Sequence, residues 1–338
     1  MAQHSYGIDI GTSNFKLFSV TNKKMINEKN IIAIKNKSEI YSFGDPAFEM
    51  YEKAPANIDV SFPVKFGVIA DIKNMGTLFE CFVQKINGQN NAGDFCIAVP
   101  TDVTEVEKRA FYDLIAESRI KSKRINVVEK PIADAVGVGL DVESPKGKHI
   151  IDIGADTTEI SVISLGGIVL SKIIKTGGNK LDDTICNIVR KQHNLIIGSR
   201  TAEQLKINLA DATNSSEAVH VAYGRNIVTG LPAMRDISSE LIYQAIQECL
   251  RSIIDSIKVI LERTPPELSA DIIEAGAYLT GGSAMIKNLD ALITQETGLK
   301  VNICEAPSES AIRGLAQIVS EDKLQGLMYV PREKQYND

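Results

Sequence analysis

Two carboxylates in this chain stand in the same company. Asp9 lies in Gly7-Ile8-Asp9-Ile10-Gly11-Thr12, and Asp152 lies in Ile151-Asp152-Ile153-Gly154, with Thr157 and Thr158 close behind. Each follows an apolar, strand-like approach (6–10 and 149–153) and leads into a polar hairpin. An acid followed by glycine and hydroxyls suits a charged ligand. Glycine lets backbone N–H groups approach phosphate oxygens, and a carboxylate holds the bound waters of a divalent metal. One such turn per half suggests a duplicated α/β fold closing on a nucleoside triphosphate and its metal. Alone, the first turn would be an ordinary β-turn with a surface lysine. The second copy argues against that.

Gly11, Thr12, Ser13 and Asn14 are placed to wrap a β- or γ-phosphate, and Lys16 points back along the second strand toward the same group. Gly154 and Thr157 repeat the turn, and Asp9 with Asp152 would hold Mg²⁺ through waters. Gly281-Gly282-Ser283 follows a strand and opens a helix at Met285, a platform for adenine or phosphate. Gly177-Gly178, with Asp182 one turn on, can approach the ribose or phosphates. Glu203 and Lys206 lie three apart on one helix face. They either clasp the ribose and adenine edge or form a surface i,i+3 ion pair, and the residues alone favour the ion pair.

These residues need a frame. Residues 5–45 alternate as a strand meander, and 45–63 is polar with prolines. Residues 75–87 read as an amphipathic helix and 94–100 as a buried strand. Thr104 and Glu107 form a capping box for the next helix. A short strand at 126–128 and a small-residue helix at 131–139 complete the first half. The turn-rich, charged stretch 141–148 marks the boundary. Hairpin strands then run over 149–175, with helices at 180–193 and 201–211 and strands near 217–235. A long helix at 239–262 is stopped by Pro265-Pro266, and strand 276–280, helix 285–297 and a last helix from 308 follow.

Composition narrows the class. The 338 residues are 44% apolar and 24% charged, which suits a soluble globular protein of two domains. A net charge of -6 argues against nucleic acid, whose binders carry a basic face. Five scattered cysteines without zinc or redox spacing read as reduced cytoplasmic thiols. Isolated histidines disfavour a histidine metal site. The opening residues do not form a signal peptide, and acids interrupt the apolar stretch 150–170, so it is not a membrane span. Only 331–338 reads as a loose tail.

Longer phrases carry a resemblance. GVIADI (67–72), VPTDVTEVEKRA (99–110), TTEISVISLGGIV (157–169), RTAEQLKINL (200–209), IVTGLP (227–232), LERTPPELSADI (261–272) and LTGGSAMI (279–286) resemble the MreB family, the bacterial actin homologues. The wider superfamily joins actin, heat-shock chaperones and sugar kinases. The resemblance implies an actin-like, duplicated ribonuclease H-like fold of two lobes in four subdomains around a nucleotide cleft. Lobe I would be 1–147 plus 314–338, with a small subdomain at 32–66. Lobe II would be 148–313, with a small subdomain at 186–257. It implies ATP with Mg²⁺, and head-to-tail self-assembly into paired protofilaments under the cell membrane. It also promotes Glu203 and Lys206 to nucleoside contacts, and sets Ala155, Asp156 and Thr157 beside the phosphates.

Two departures from the family follow. MreB-like proteins usually read Glu-Glu-Pro, whose second glutamate polarises the attacking water; here the phrase is Glu129-Lys130-Pro131. A protonated lysine cannot accept that proton, and strand alternation aims Glu129 away from the cleft. The second hairpin usually reads Asp-Ile-Gly-Gly-Gly-Thr, where Ala155 and Asp156 stand here. Two unit charges about 4 Å apart repel by about 4 kcal/mol at an effective dielectric of 20. Lys130 and Asp156 are therefore expected to pair near the γ-phosphate, leaving an ATP binder with slow or lost hydrolysis. The polar loop 87–94 and the short N-terminus offer no membrane anchor of the family's kinds. Rival readings are a small-molecule kinase, a chaperone-type ATPase, and an adaptor that co-assembles with active MreB-like proteins.

Overall fold

A computed structural model describes residues 4–88 and 92–331. Residues 89–91 of the polar loop and the tail from 332 lie outside the described residues. The chain divides into two compact units. Unit 1 comprises residues 1–145, 163–168 and 309–338, and unit 2 comprises 146–162 and 169–308.

In unit 1, Ser5–Ile10 (β1), Asn14–Ser19 (β2) and Lys24–Lys29 (β3) form the expected meander. Alternation decides which face is inside: Phe15 and Leu17 of β2 are buried. Ile32–Lys35 (β4), Glu39–Phe43 (β5) and Ile58–Ser61 (β6) make a separate small sheet, with the short helix Asp45–Phe48 (α1) beside it. Val64–Lys65 (β7) and Val68–Ile69 (β8) form a short hairpin.

Ile72–Asn87 (α2) begins three residues earlier than periodicity predicts, because Asp71 caps it by accepting from the Asn74 N–H at 3.0 Å. Its buried Met75, Leu78, Phe79, Phe82, Val83 and Ile86 repeat at helical spacing. Gly93–Val99 (β9) and Ser122–Glu129 (β10) join the large sheet in the order β10-β9-β1-β2-β3. Glu105–Ala116 (α3) carries the predicted capping box of Thr104 and Glu107. Lys130–Gly137 (α4) follows β10 directly.

Unit 2 repeats the programme. Lys148–Ile153 (β11), Thr158–Ser164 (β12) and Gly167–Ile174 (β13) correspond to β1–β3. Gly178–His193 (α5) starts two residues before the predicted helix, at the second glycine of the pair. Leu195–Ile196 (β14), Ser199–Leu209 (α6), Val219–Asn226 (β15) and Pro232–Ser238 (β16) follow, with the three strands in one small sheet. Ser239–Arg263 (α7) is capped by Ser238.

The sequence pattern shows no helix between Pro265-Pro266 and the next strand, yet Pro266–Ala275 (α8) is helical. Proline at the first helical position loses only an N–H that has no partner there anyway. Ala277–Thr280 (β17) and Val301–Ile303 (β18) complete a second sheet, β13-β12-β11-β17-β18. The two sheet orders share one plan, read from opposite ends.

The predicted helix 285–297 is corrected. A single 3₁₀ turn spans Gly282–Met285, and the α-helix runs over Leu289–Thr297 (α9). Asn288 interrupts, with a left-handed backbone (φ 59) and its amide donating to Asp211 at 2.8 Å.

Ser310–Ser320 (α10) packs against α4 in unit 1 with almost nothing between the backbones. A methyl on Gly137 would overlap the Ser310 carbonyl oxygen, and one on Gly314 the Ala133 carbonyl oxygen. This glycine contact seats α4, and with it Lys130. After α10, Tyr329 exchanges two backbone hydrogen bonds with Val127 of β10, at 2.7 and 3.0 Å.

Candidate functional site

The first acid turn is built by the β1–β2 register, which sets Asp9 opposite Lys16. Lys16 Nζ lies 2.7 Å from Asp9 Oδ2, and the carboxylate is only 3% exposed. Burial by itself would raise the Asp9 carboxyl. The ammonium groups of Lys16 and Lys130 outweigh it and hold the acid below its usual range, so it stays ionised. Lys16, expected to aim at a phosphate, here takes Asp9 as its partner.

The turn itself is tight. The Gly11 N–H donates to the Asn14 carbonyl at 3.0 Å. Sequence reasoning missed its support from β3 and the residue after it. Buried Asn30 donates its side-chain amide to the Gly11 carbonyl at 2.8 Å and its N–H to the Ser13 carbonyl at 2.9 Å. Lys29 Nζ donates to the Ser13 hydroxyl at 3.1 Å, and Asn14 donates to Asn27 at 2.9 Å. Carrying the β2–β3 register on from the hairpin turn, which pairs Asn14 with Lys29, would have revealed these residues.

In unit 2 the second turn copies the first: the Gly154 N–H donates to the Thr157 carbonyl at 2.9 Å. Asp152, 4% exposed, ends β11. The remaining predicted residues of this half converge on the turn. The N–H groups of Gly178 and Asn179 donate to the carbonyls of Gly154 and Ala155, at 3.0 and 2.7 Å. The Ser283 hydroxyl donates to the Gly154 carbonyl at 3.0 Å. Asp156 accepts from the Asn179 amide at 2.8 Å, a partner that sequence reasoning did not supply.

Glycine is required where these loops meet. A Cβ on Gly177 would stand 2.7 Å from the Ala155 oxygen, and one on Gly178 would stand 2.8 Å from the Ser283 hydroxyl. Gly281, at φ +86, leaves no room beside Asp152 and the Ile153 carbonyl. Gly282 faces open space and Met285 is exposed.

Lys206 reaches across from α6. Its Nζ donates to the Gly178 carbonyl at 2.9 Å and to Asp182 Oδ2 at 2.8 Å. Burial pushes the Asp182 carboxyl up to about 6, with Lys206 opposing and Glu203 assisting. The other oxygen, Asp182 Oδ1, is buried with no protein partner among the described residues. The Glu203–Lys206 surface pair is therefore not the arrangement for Lys206, which serves Asp182 and Gly178.

Glu129 accepts from the Tyr329 hydroxyl at 2.6 Å, and burial together with that carboxylate pushes the Tyr329 phenol above its usual range. Lys130 begins α4 at the end of β10.

The residues fit a polyphosphate ligand in both halves: glycine-dependent loop junctions, lysines at the first turn, and an orphaned carboxylate oxygen that can accept from a hydroxyl. Asp9 and Asp152 are oxygen donors of the kind a hard divalent cation takes.

A family model described as "MreB/Mbl protein" matches residues 3–326. The chain is 35% identical over 329 residues to the cell shape-determining protein Mbl of Bacillus subtilis, covering 96% of this chain and 98% of that one. It is 33% identical over 323 residues to the cell shape-determining protein MreB of Escherichia coli, covering 93% and 92%. MreB 5 of Spiroplasma citri, solved bound to AMPPNP, superposes with a TM-score of 0.90 at 31% identity, covering 96% of this chain and 98% of that one.

Proposed function

The chain belongs to the MreB/Mbl family and has its actin-like α/β fold, and on that premise we propose that it binds ATP, hydrolyses it weakly or not at all, and assembles into filaments for cell shape or motility. One observation carries the nucleotide reading. In unit 2 the second acid turn, Gly177-Gly178 and Ser283 meet through hydrogen bonds of 3.0 Å that only glycine-bearing loops allow. The AMPPNP-bound relative of the same fold supports it.

In this reading Gly11–Asn14 and Gly154–Thr157 face the phosphates, and Asp182, Glu203 and Lys206 face the ribose and base. Gly281–Ser283 and Met285 form the adenine platform. Asp9 and Asp152 would hold Mg²⁺ through waters, and that ion supplies counter-charge to the phosphates when bound. Lys130 lies at the phosphate end of unit 1, where its charge acts on Asp9, and Asp156, held by the Asn179 amide, at that of unit 2.

Weak hydrolysis follows from what the chain can do with a proton. Lys130 stands at the start of α4, where the family's water-polarising acid is expected, and an ammonium accepts no proton. The neighbouring acid, Glu129, is engaged by Tyr329. Positioning and charge drive phosphoryl transfer, so losing the water-positioning acid removes the step itself while binding survives. Phosphate release by the wild type is expected at background, with Lys130→Glu raising it. Family-normal turnover by the wild type refutes the reading.

Filament formation rests on the family and on relatives named as cell shape-determining. Electron microscopy with ATP, ADP and no nucleotide tests it; filaments seen only with an active MreB-like protein would favour an adaptor instead. Among the described residues no helix is long and apolar enough to cross a membrane. A place at the inner face of the cell membrane is part of the proposal, and liposome co-sedimentation decides it.

A further inference from the structure

We propose that Asp211 is a positioning residue for the nucleoside: it holds the end of α6 against the loop of residues 282–288 and so sets how tightly the base end of a nucleotide is bound. The inference rests on the nucleotide reading above and concerns unit 2 alone.

Two segments meet at this acid. On one side α6 carries Glu203 and Lys206 and stops at Leu209. On the other, the 3₁₀ turn Gly282–Met285 carries Ser283 and the exposed Met285. The near end of that loop is fixed by the Gly281 N–H, which donates to the Pro307 carbonyl at 2.8 Å, and by the Ser283 hydroxyl on the Gly154 carbonyl at 3.0 Å. Asp211, two residues beyond α6, fixes the far end. Its Oδ2 accepts from the Asn288 amide at 2.8 Å and from the Lys287 ammonium at 3.1 Å. The Ala212 N–H donates to the Lys287 carbonyl at 2.8 Å, so the two segments run side by side.

The charge serves this junction rather than the acid's own turn. Asp211 Oδ1 caps that turn, accepting from the Thr213 N–H and hydroxyl at 3.0 and 3.1 Å and from the Asn214 N–H at 3.3 Å. A neutral asparagine caps such a turn as well, without the cost of burying a charge, and Asp211 is only 5% exposed. Burial alone would raise the acid. The turn's N–H groups, Asn288 and Lys287 outweigh it and hold the carboxyl far below its usual range. The donors on the Oδ2 side both belong to the loop, and Asn288 reaches the acid from a left-handed backbone (φ 59) that asparagine tolerates. Without these bonds the segments carrying Lys206 and Met285 lose their fixed spacing, and the base loses its slot. The phosphate end, built on the second acid turn, keeps its own hydrogen bonds.

Calorimetric titration of AMPPNP in excess magnesium, into the full chain and three variants of it, tests this. Asp211→Ala should weaken binding about tenfold. Asn288→Gly should weaken it about threefold, because glycine keeps the left-handed backbone and only the side-chain bond is lost. It carries the test should Asp211→Ala fail to fold. The exchange variant Asp211→Asn with Asn288→Asp reverses donor and acceptor across the same bond, and should bring the Kd back to within about twofold of wild type. Hydrogen exchange separates positioning from general loosening. AMPPNP should protect the amides of 282–289 less in Asp211→Ala and Asn288→Gly than in wild type, and those of 154–158 equally. Wild-type affinity in the single variants that fold, no recovery in the exchange variant, or equal loss of protection at both segments overturns the inference while leaving the nucleotide reading intact. A wild type that binds no AMPPNP sinks both.

Discussion

Gly314→Ala isolates what seats Lys130. In unit 1 the methyl would overlap the Ala133 carbonyl oxygen and stand 2.9 Å from the Gly137 nitrogen. Both obstacles are backbone, so no flexible side chain can swing away. Helices α4 and α10 must separate, and the surrounding core packs too densely to follow freely. Added methylenes in tight cores typically cost 1–3 kcal/mol. Rigid backbone on the far side places this one near the top, at about 3 kcal/mol. Alanine's helix propensity returns about 1 kcal/mol of that, because glycine is the poorer helix former. The net expectation is a loss of about 2 kcal/mol, read as a lower denaturant midpoint at unchanged slope. Moving α4 also moves Lys130, so AMPPNP affinity should fall together with stability. Unchanged stability would show that the helices are not in backbone contact, and that α10 does not set the position of Lys130.

Asp182 predicts a pH dependence. Its folded-state pKa of about 6 lies above the unfolded value of 3.8, so the fold favours the protonated acid. The associated stability is fully present below the unfolded pKa and is lost as pH rises through about 6. Its size is on the order of 3 kcal/mol. Denaturation of Asp182→Asn across that window should show a flatter profile than wild type, and identical slopes would refute the assignment. Tyr329→Phe removes the hydroxyl from Glu129. With the carboxylate half-exposed and water able to replace the donor, the loss should be about 1 kcal/mol. A phosphate-release assay on the same variant then asks whether a freed Glu129 serves as base; the expectation is no gain while Lys130 remains.

The local conformation of both acid turns was legible in the sequence, as were most helices. A hairpin after a strand is specified by a few adjacent residues, and a helix by periodicity and caps within one turn. Thr104 with Glu107 and the apolar stripe of α2 show this. The doubled motif also carried the fold class, because two copies of one strand-turn-strand unit imply two copies of one sheet. Where local signals competed the pattern failed, as at Asn288, whose left-handed backbone divides a stretch that periodicity reads as one helix.

Only the tertiary structure decided what surrounds each charged group. Asp9 acquires Lys16 through strand register and the charge of Lys130 through a third strand. Lys206 leaves its sequence neighbour Glu203 for Asp182 on another helix. Glu129 is claimed by a tyrosine 200 residues away. Spacing along a chain fixes backbone conformation over a turn or two, whereas a carboxylate's charge state depends on which ammonium groups lie within a few ångströms and how much water is excluded. Those are set when distant segments pack.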